Sequence, residues 1–163
     1  MPERGPTALH AASDAGHLGA ARLLLRSRAD ALARDRQGKQ PLHKAAAAGH
    51  VALVSLLLSH GNVTASSRSQ EQPLHVGAGH CRVVQLLLHA RADSSARDRE
   101  GVQPLHWAAA SGSVCALRRL LNFGASLVSA DTVHGGVPCS FYHGGCDFSL
   151  SETQCDCKSL QLL

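Results

Sequence analysis

The sequence predicts an all-α repeat solenoid of about four helix–turn–helix units, followed by a tail with no repeat pattern. Three observations carry that expectation. First, the block Gln40-Pro41-Leu42-His43-Lys44-Ala45-Ala46-Ala47-Ala48-Gly49-His50 recurs, with small changes, at residues 7–17, 72–80 and 103–113. Second, the His that closes Pro-Leu-His falls at His10, His43, His75 and His106, steps of 33, 32 and 31 residues. A period in the low thirties marks units that bury their faces against neighbours. Third, hydrophobic residues make up 44% of the chain but aromatics only 3%. A core of Leu, Val and Ala suits thin, closely packed helices, and wholesale disorder is not expected.

The pattern Thr/Gln-Pro-Leu-His-x-Ala at this period resembles the ankyrin repeat over about residues 6–131. The resemblance implies β-hairpin fingers between the helix pairs. It also implies a concave face built from finger tips and the outward positions of the first helices. The units fall at about 5–37, 38–70, 71–100 and 101–131. Together they make one repeat domain, 1–131, ahead of an irregular Cys-containing tail, 132–163.

In the first unit, Thr7 caps a helix over 9–15, its hydroxyl accepting from an amide of the first turn. Gly16-His17 ends that helix in the conformation glycine adopts without strain. A second helix runs over 18–27, with Ala21, Leu24 and Leu25 on one face. Asp35-Arg36-Gln37-Gly38 then reads as a turn. In the second unit Pro41 suits a first helical turn, where its missing N–H does no harm. Val51, Val54, Leu57 and Leu58 form the inner face of its second helix. The exit from that unit, residues 61–70, is one residue short and lacks Asp-x-x-Gly, so a polar, mobile finger is expected.

The third unit has lost two residues between His75 and Gly79. At 100° per residue that loss rotates the downstream residues by about 200°, so its first helix must shrink to about one turn, 73–78. Gly77 should weaken it by a further ~1 kcal/mol relative to Ala. Its second helix, 81–89, is intact. The fourth unit restores the pattern with Pro104-Leu105-His106-Trp107-Ala108-Ala109 and a second helix over 114–122. Asp131 takes the place of Asp35 and Asp98. Beyond it Val137-Pro138-Cys139-Ser140 stands where a fifth motif should be. Neither end reads as a polar cap, which suggests a shortened form of a longer array. A truncated product without independent stable function is therefore one alternative reading.

The histidines at Pro-Leu-His, with His17, His50 and His80 after glycine, are structural in the resemblance: they bond backbone groups and tie repeats together. Equivalent histidines in a stack lie on the order of 10 Å apart, too far to share an ion. In the tail, Cys139, Cys146, Cys155 and Cys157 with His134 and His143 lack the paired spacing zinc prefers. Cys81 and Cys115 read as small core residues. No phosphate loop, G-x-S-x-G or other catalytic pattern occurs, so no enzyme, cofactor or metal is expected.

The start is polar, with no signal peptide pattern, and no aliphatic run approaches the ~20 residues of a membrane span. The expected place is the cytosol or nucleus, with cysteines reduced. The net charge of +4 is mild. Nucleic-acid binding through the basic fingers is the other alternative. Interleaved Asp35, Asp98 and Glu100 and the lack of stacking aromatics weigh against it. The expected function is non-catalytic protein recognition by a monomeric scaffold. By motif position the binding face takes Asp14, Ala15, Arg36, Gln37, Lys39, Ala47, Ala48, Arg99, Glu100, Val102, Trp107, Ala110 and Ser111. Trp107 either serves as a hot spot or packs half-buried between helices. The fingers around Arg36 and Arg99 lean basic and could receive an acidic segment of the partner.

Overall fold

The computed structural model describes residues 5–125. Eight helices occur there, in four successive pairs. The first is α1 (Ala8–Asp14) with α2 (Leu18–Arg26), the second α3 (Pro41–Ala47) with α4 (Val51–Leu58). The third is α5 (Pro73–Val76) with α6 (Cys81–His89), the fourth α7 (Pro104–Ala110) with α8 (Val114–Asn122). First helices pack on first helices, α1 on α3, α3 on α5 and α5 on α7. Second helices do likewise, α2 on α4, α4 on α6 and α6 on α8. Contacts run between neighbours, as in a solenoid.

The motif explains why each unit starts and stops where it does. Pro41, Pro73 and Pro104 open α3, α5 and α7 behind an extended Gln, so no helical N–H is lost. The Leu of the motif is fully buried in every unit: Leu9, Leu42, Leu74 and Leu105. Gly16, Gly49 and Gly112 stop α1, α3 and α7 with φ of 79°, 76° and 67°. Two of these glycines are also required by space. A Cβ on Gly16 would lie 2.7 Å from the His50 ring, and one on Gly49 would lie 2.6 Å from the His80 ring.

The structure corrects several expectations. No strand occurs among the described residues, so the fingers are tight turns rather than hairpin ladders. The second finger repeats the turn of the other two. Ser67 replaces Asp35, its Oγ accepting from Glu71 N–H at 3.2 Å, and Gln70 replaces Gly38 at φ 59°. The missing residue of that unit lies instead at the end of α4, which has eight residues against nine in α2, α6 and α8. Arg28 and Arg91 turn left-handed behind α2 and α6, whereas Gly61 N–H bonds directly to Leu57 O at 2.6 Å. The buried face of α4 is Leu53, Val54 and Leu57, while Val51 and Leu58 are half-buried. In the third unit α5 does shrink to one turn. Gly77, however, lies just past its last residue, at φ −87°. A Cβ there would approach Val83 Cγ1 to 2.9 Å and Pro73 O to 3.0 Å. Glycine lets the clipped turn seat on α6, so the penalty for a helix interior does not apply.

Cys81 and Cys115 are not core residues. They form a disulfide, with Cα atoms 5.5 Å apart, between the first turns of α6 and α8. Cys115 is exposed and Cys81 half-buried. The reason is position: each opens a second helix, ahead of the apolar face that turns inward at Val83, Val84 and Ala116. The expected features of residues 126–163, with Asp131 and the four tail cysteines, lie outside the described residues.

Candidate partner-binding face

The fingers are positioned by histidine. In each unit the cap N–H donates to Nδ1 of the motif His at 3.1 Å: Thr7 to His10, Gln40 to His43, Gln72 to His75 and Gln103 to His106. The side chain closing the first turn of α1 is thus His10, whose Nδ1 also lies 2.9 Å from the Thr7 hydroxyl. An Nδ1 that accepts leaves the proton on Nε2, which reaches the end of the next finger. His10 Nε2 bonds Lys39 O at 2.8 Å, and His43 bonds Glu71 O and His75 bonds Val102 O at 3.1 Å. His10, His43 and His75 therefore each fix a helix start and the finger beyond it. His50 and His80 add a second tie, to Asp14 O at 3.0 Å and Ala47 O at 3.1 Å of the preceding unit. Burial drives the His43 imidazole down to about 4, against the Glu71 carbonyl it donates to, which favours the charged form. Burial lowers His75 as well, over the opposing pull of Asp98 and the Val102 carbonyl.

Each turn is closed by its first residue. Asp35 Oδ1 accepts from Gln37 N–H at 2.8 Å and Lys39 N–H at 2.9 Å. Asp98 Oδ1 accepts from Glu100 N–H at 3.0 Å and Val102 N–H at 2.8 Å. The second carboxylate oxygen meets the residue just after the next unit's motif His. Asp35 Oδ2 lies 3.7 Å from Lys44 Nζ, and Asp98 Oδ2 accepts from Trp107 Nε1 at 3.3 Å. Where the finger residue is Ser67, that partner is apolar Val76. For Asp35, burial raises the carboxyl, but the Lys39 and Gln37 amides and the Lys44 ammonium outweigh it and hold it below the usual range. The finger carboxylates thus face inward, and Asp98 is only 9% exposed.

The tips themselves are linked. Arg68 N–H donates to Gln37 O at 2.9 Å and Arg99 N–H to Ser69 O at 2.8 Å. Those bonds set Arg36, Arg68 and Arg99, all exposed, at equivalent places on three successive fingers. Sequence reasoning misses Arg68 because its finger lacks Asp-x-x-Gly. The available signal is Ser67, whose hydroxyl can accept the same amide as an Asp carboxylate. Arg34 and Arg97 turn back instead, bonding Gly38 O at 3.2 Å and Gly101 O at 2.9 Å.

Most of the expected face residues are accessible. Arg36, Gln37, Arg99 and Glu100 sit at the tips, and Asp14, Ala15, Ala47, Ala48, Ala110 and Ser111 end the first helices; all are exposed. Lys39 is half-buried and pairs with Glu71 of the next finger at 3.0 Å. Val102 is a correction: at 2% exposure it offers nothing to a partner. Its N–H and C=O are both engaged, by Asp98 and His75, which hold it beneath the finger. Trp107 is half-buried against the core as well as bonded to Asp98. Among the described residues no group of three or more His, Cys, Asp or Glu could hold a metal ion. No helix among them is long and apolar enough to cross a membrane.

Comparison with known proteins agrees with this architecture. A family model for ankyrin repeats in three copies matches residues 2–67, and two single ankyrin repeat models match 71–99 and 100–128. Among curated proteins, the chain is similar to neurogenic locus notch homolog protein 1 of Xenopus laevis and of Danio rerio, and to notch homolog protein 2 of Homo sapiens. Each is 36% identical over 126 residues, 75% of this chain. The chain spans about 5% of the length of these relatives.

Proposed function

Because the chain belongs to the ankyrin repeat family, we propose that it is a non-catalytic protein-recognition module, its repeat domain holding a partner on the face of finger tips and first-helix ends. Ankyrin repeats are generally protein–protein interaction modules and generally non-enzymatic. The observation that carries the reading is the double use of His10, His43 and His75. A face whose backbone is pinned at both ends by buried imidazoles loses little conformational freedom on binding. The partner carries an acidic segment that crosses the fingers. Arg36 and Arg99 are exposed there, while Asp35 and Asp98 spend their charge on their own turns and on Lys44 and Trp107.

The test is affinity capture from cell extract with the full chain and with R36E/R99E, at low and raised salt. Proteins retained by the natural chain should be lost by the variant and should weaken with salt. A captured set unchanged by the charge reversal would overturn the acidic-segment reading. Capture of nucleic acid alone, lost steeply with salt, would favour the nucleic-acid alternative.

A further inference from the structure

The Cys81–Cys115 pair is not among the residues assigned to the binding face, and it opens the second helices α6 and α8 rather than a finger. We propose that the pair is a reversible thiol–disulfide switch that staples the last helix pair to the third and opens when reduced. Four observations on the molecule support this. The two Cα atoms are 5.5 Å apart, within the range a disulfide spans without moving the backbone. The bridge joins residues 34 apart, so it closes a loop containing the whole of α7 and the third finger. Both sulfurs sit at helix N-terminal turns, Cys81 as the first residue of α6 and Cys115 as the second of α8, and each helix has nine residues. The N-terminal end of a helix favours thiolate over thiol, and Arg118 and Arg119 lie one turn beyond Cys115 on the same helix. Finally, Cys115 is exposed, open to small oxidants and reductants, unlike a disulfide sealed in a core.

The location gives the switch something to control. Stacking of first helices is thinnest here, because α5 has four residues where α3 and α7 have seven. The fourth pair therefore leans on α6–α8 packing more than its counterparts do on theirs, and the bridge crosses that contact. The chemistry balances with a hydroperoxide as oxidant. Cys115 ionises to a thiolate that attacks a peroxide oxygen, the O–O bond breaks, and a sulfenic acid and hydroxide form, the hydroxide taking up the proton the thiol released to give water. The Cys81 thiolate then attacks the sulfenic sulfur and expels hydroxide, which the proton lost by the Cys81 thiol converts to a second water, so two thiols and one hydrogen peroxide give one disulfide and two waters. A dithiol reductant reverses this by exchange, leaving as its own disulfide.

The test uses the full chain with the tail cysteines Cys139, Cys146, Cys155 and Cys157 replaced by Ser, so that only this pair can react. The reduced protein is treated with hydrogen peroxide and then with a dithiol in a glutathione-poised buffer. Intact mass and peptide mapping follow the bond, and thermal unfolding follows stability. Oxidation should remove about 2 Da, link the peptides of Cys81 and Cys115, and raise the unfolding midpoint by at least about 5 °C. The dithiol should undo all three effects. The reduced chain itself serves as the comparison, so no substitution in α6 or α8 is needed. Failure to form the bond, or an unchanged midpoint, would overturn the proposal. A bond the dithiol cannot open would overturn the switch and leave a permanent staple.

Discussion

The motif histidine shows how much one residue can carry. Its Nδ1 accepts the N–H that opens the helix, and in His10, His43 and His75 the Nε2–H donates a hydrogen bond to the end of the next finger. The first requires the neutral ring, because a protonated Nδ1 cannot accept, and burial disfavours the charged ring further, so stability is linked to pH through His43. Its folded pKa is about 4, against 6.5 for an unperturbed histidine. The unfolded chain takes up a proton below pH 6.5 that the folded chain refuses until about pH 4. Stability is therefore full above pH 6.5 and falls as the pH drops toward 4, by up to about 3 kcal/mol from His43. His75 adds in the same direction. Urea midpoints taken between pH 7 and pH 4.5 should fall steadily, and H43N should be weaker at pH 7 with a flatter slope. Equal midpoints at the two pH values would show that the buried rings do not carry the link.

At the scale of the element, the third unit is the informative one. Deleting two residues cost α5 nearly a turn, yet the turn still buries Pro73, Leu74 and His75. It does so because Gly77 lets the chain pass close against Val83. Gly77→Ala should therefore destabilise, by about 1–3 kcal/mol, since its methyl must displace Val83 or the Pro73 carbonyl. Gly19→Ala in α2 should go the other way. Nothing lies within 4 Å of the added Cβ, and alanine favours a helix by about 0.5–1 kcal/mol. Chemical denaturation of the two variants side by side checks both signs. If Gly77→Ala were neutral, the clipped turn would be loosely seated rather than wedged.

At the scale of the whole molecule, identical positions differ because their neighbours differ. Leu87 of α6 is fully buried, while Leu24, its counterpart in α2, is half-buried. Alongside Leu24, Leu23 and Leu32 are 67% and 48% exposed. A groove of about 770 Å³ opens here, lined by Leu9, Leu24, Leu32, Arg34 and Arg68. Stack position thus sets the energetic weight of the same side chain. Leu87→Ala should cost about 2–5 kcal/mol and Leu24→Ala under about 2 kcal/mol, because only the first leaves a closed cavity. Equal losses in urea unfolding would mean that the first helix pair is as tightly packed as the third.

The repeat was legible in the sequence because the motif is local. A cap, a proline at the first turn, a buried leucine and a left-handed glycine each act within a few residues, and they recur in register. From that alone came the solenoid, the positions of all four helix pairs and the shortening of α5, while the structural part played by histidine came from the resemblance to the ankyrin repeat. Tertiary structure alone decided what depends on a neighbour some thirty residues away. It supplied Ser67 with Gln70 as a working turn, seated Gly77 against Val83, and withdrew Val102 beneath its finger. It also turned Asp35 and Asp98 inward to Lys44 and Trp107. Above all it brought Cys81 to Cys115, two residues that by sequence read as core, which meet on the surface because α6 and α8 pack with their first turns side by side. Spacing along the chain cannot show such a meeting; the stagger of one unit upon the next determines it.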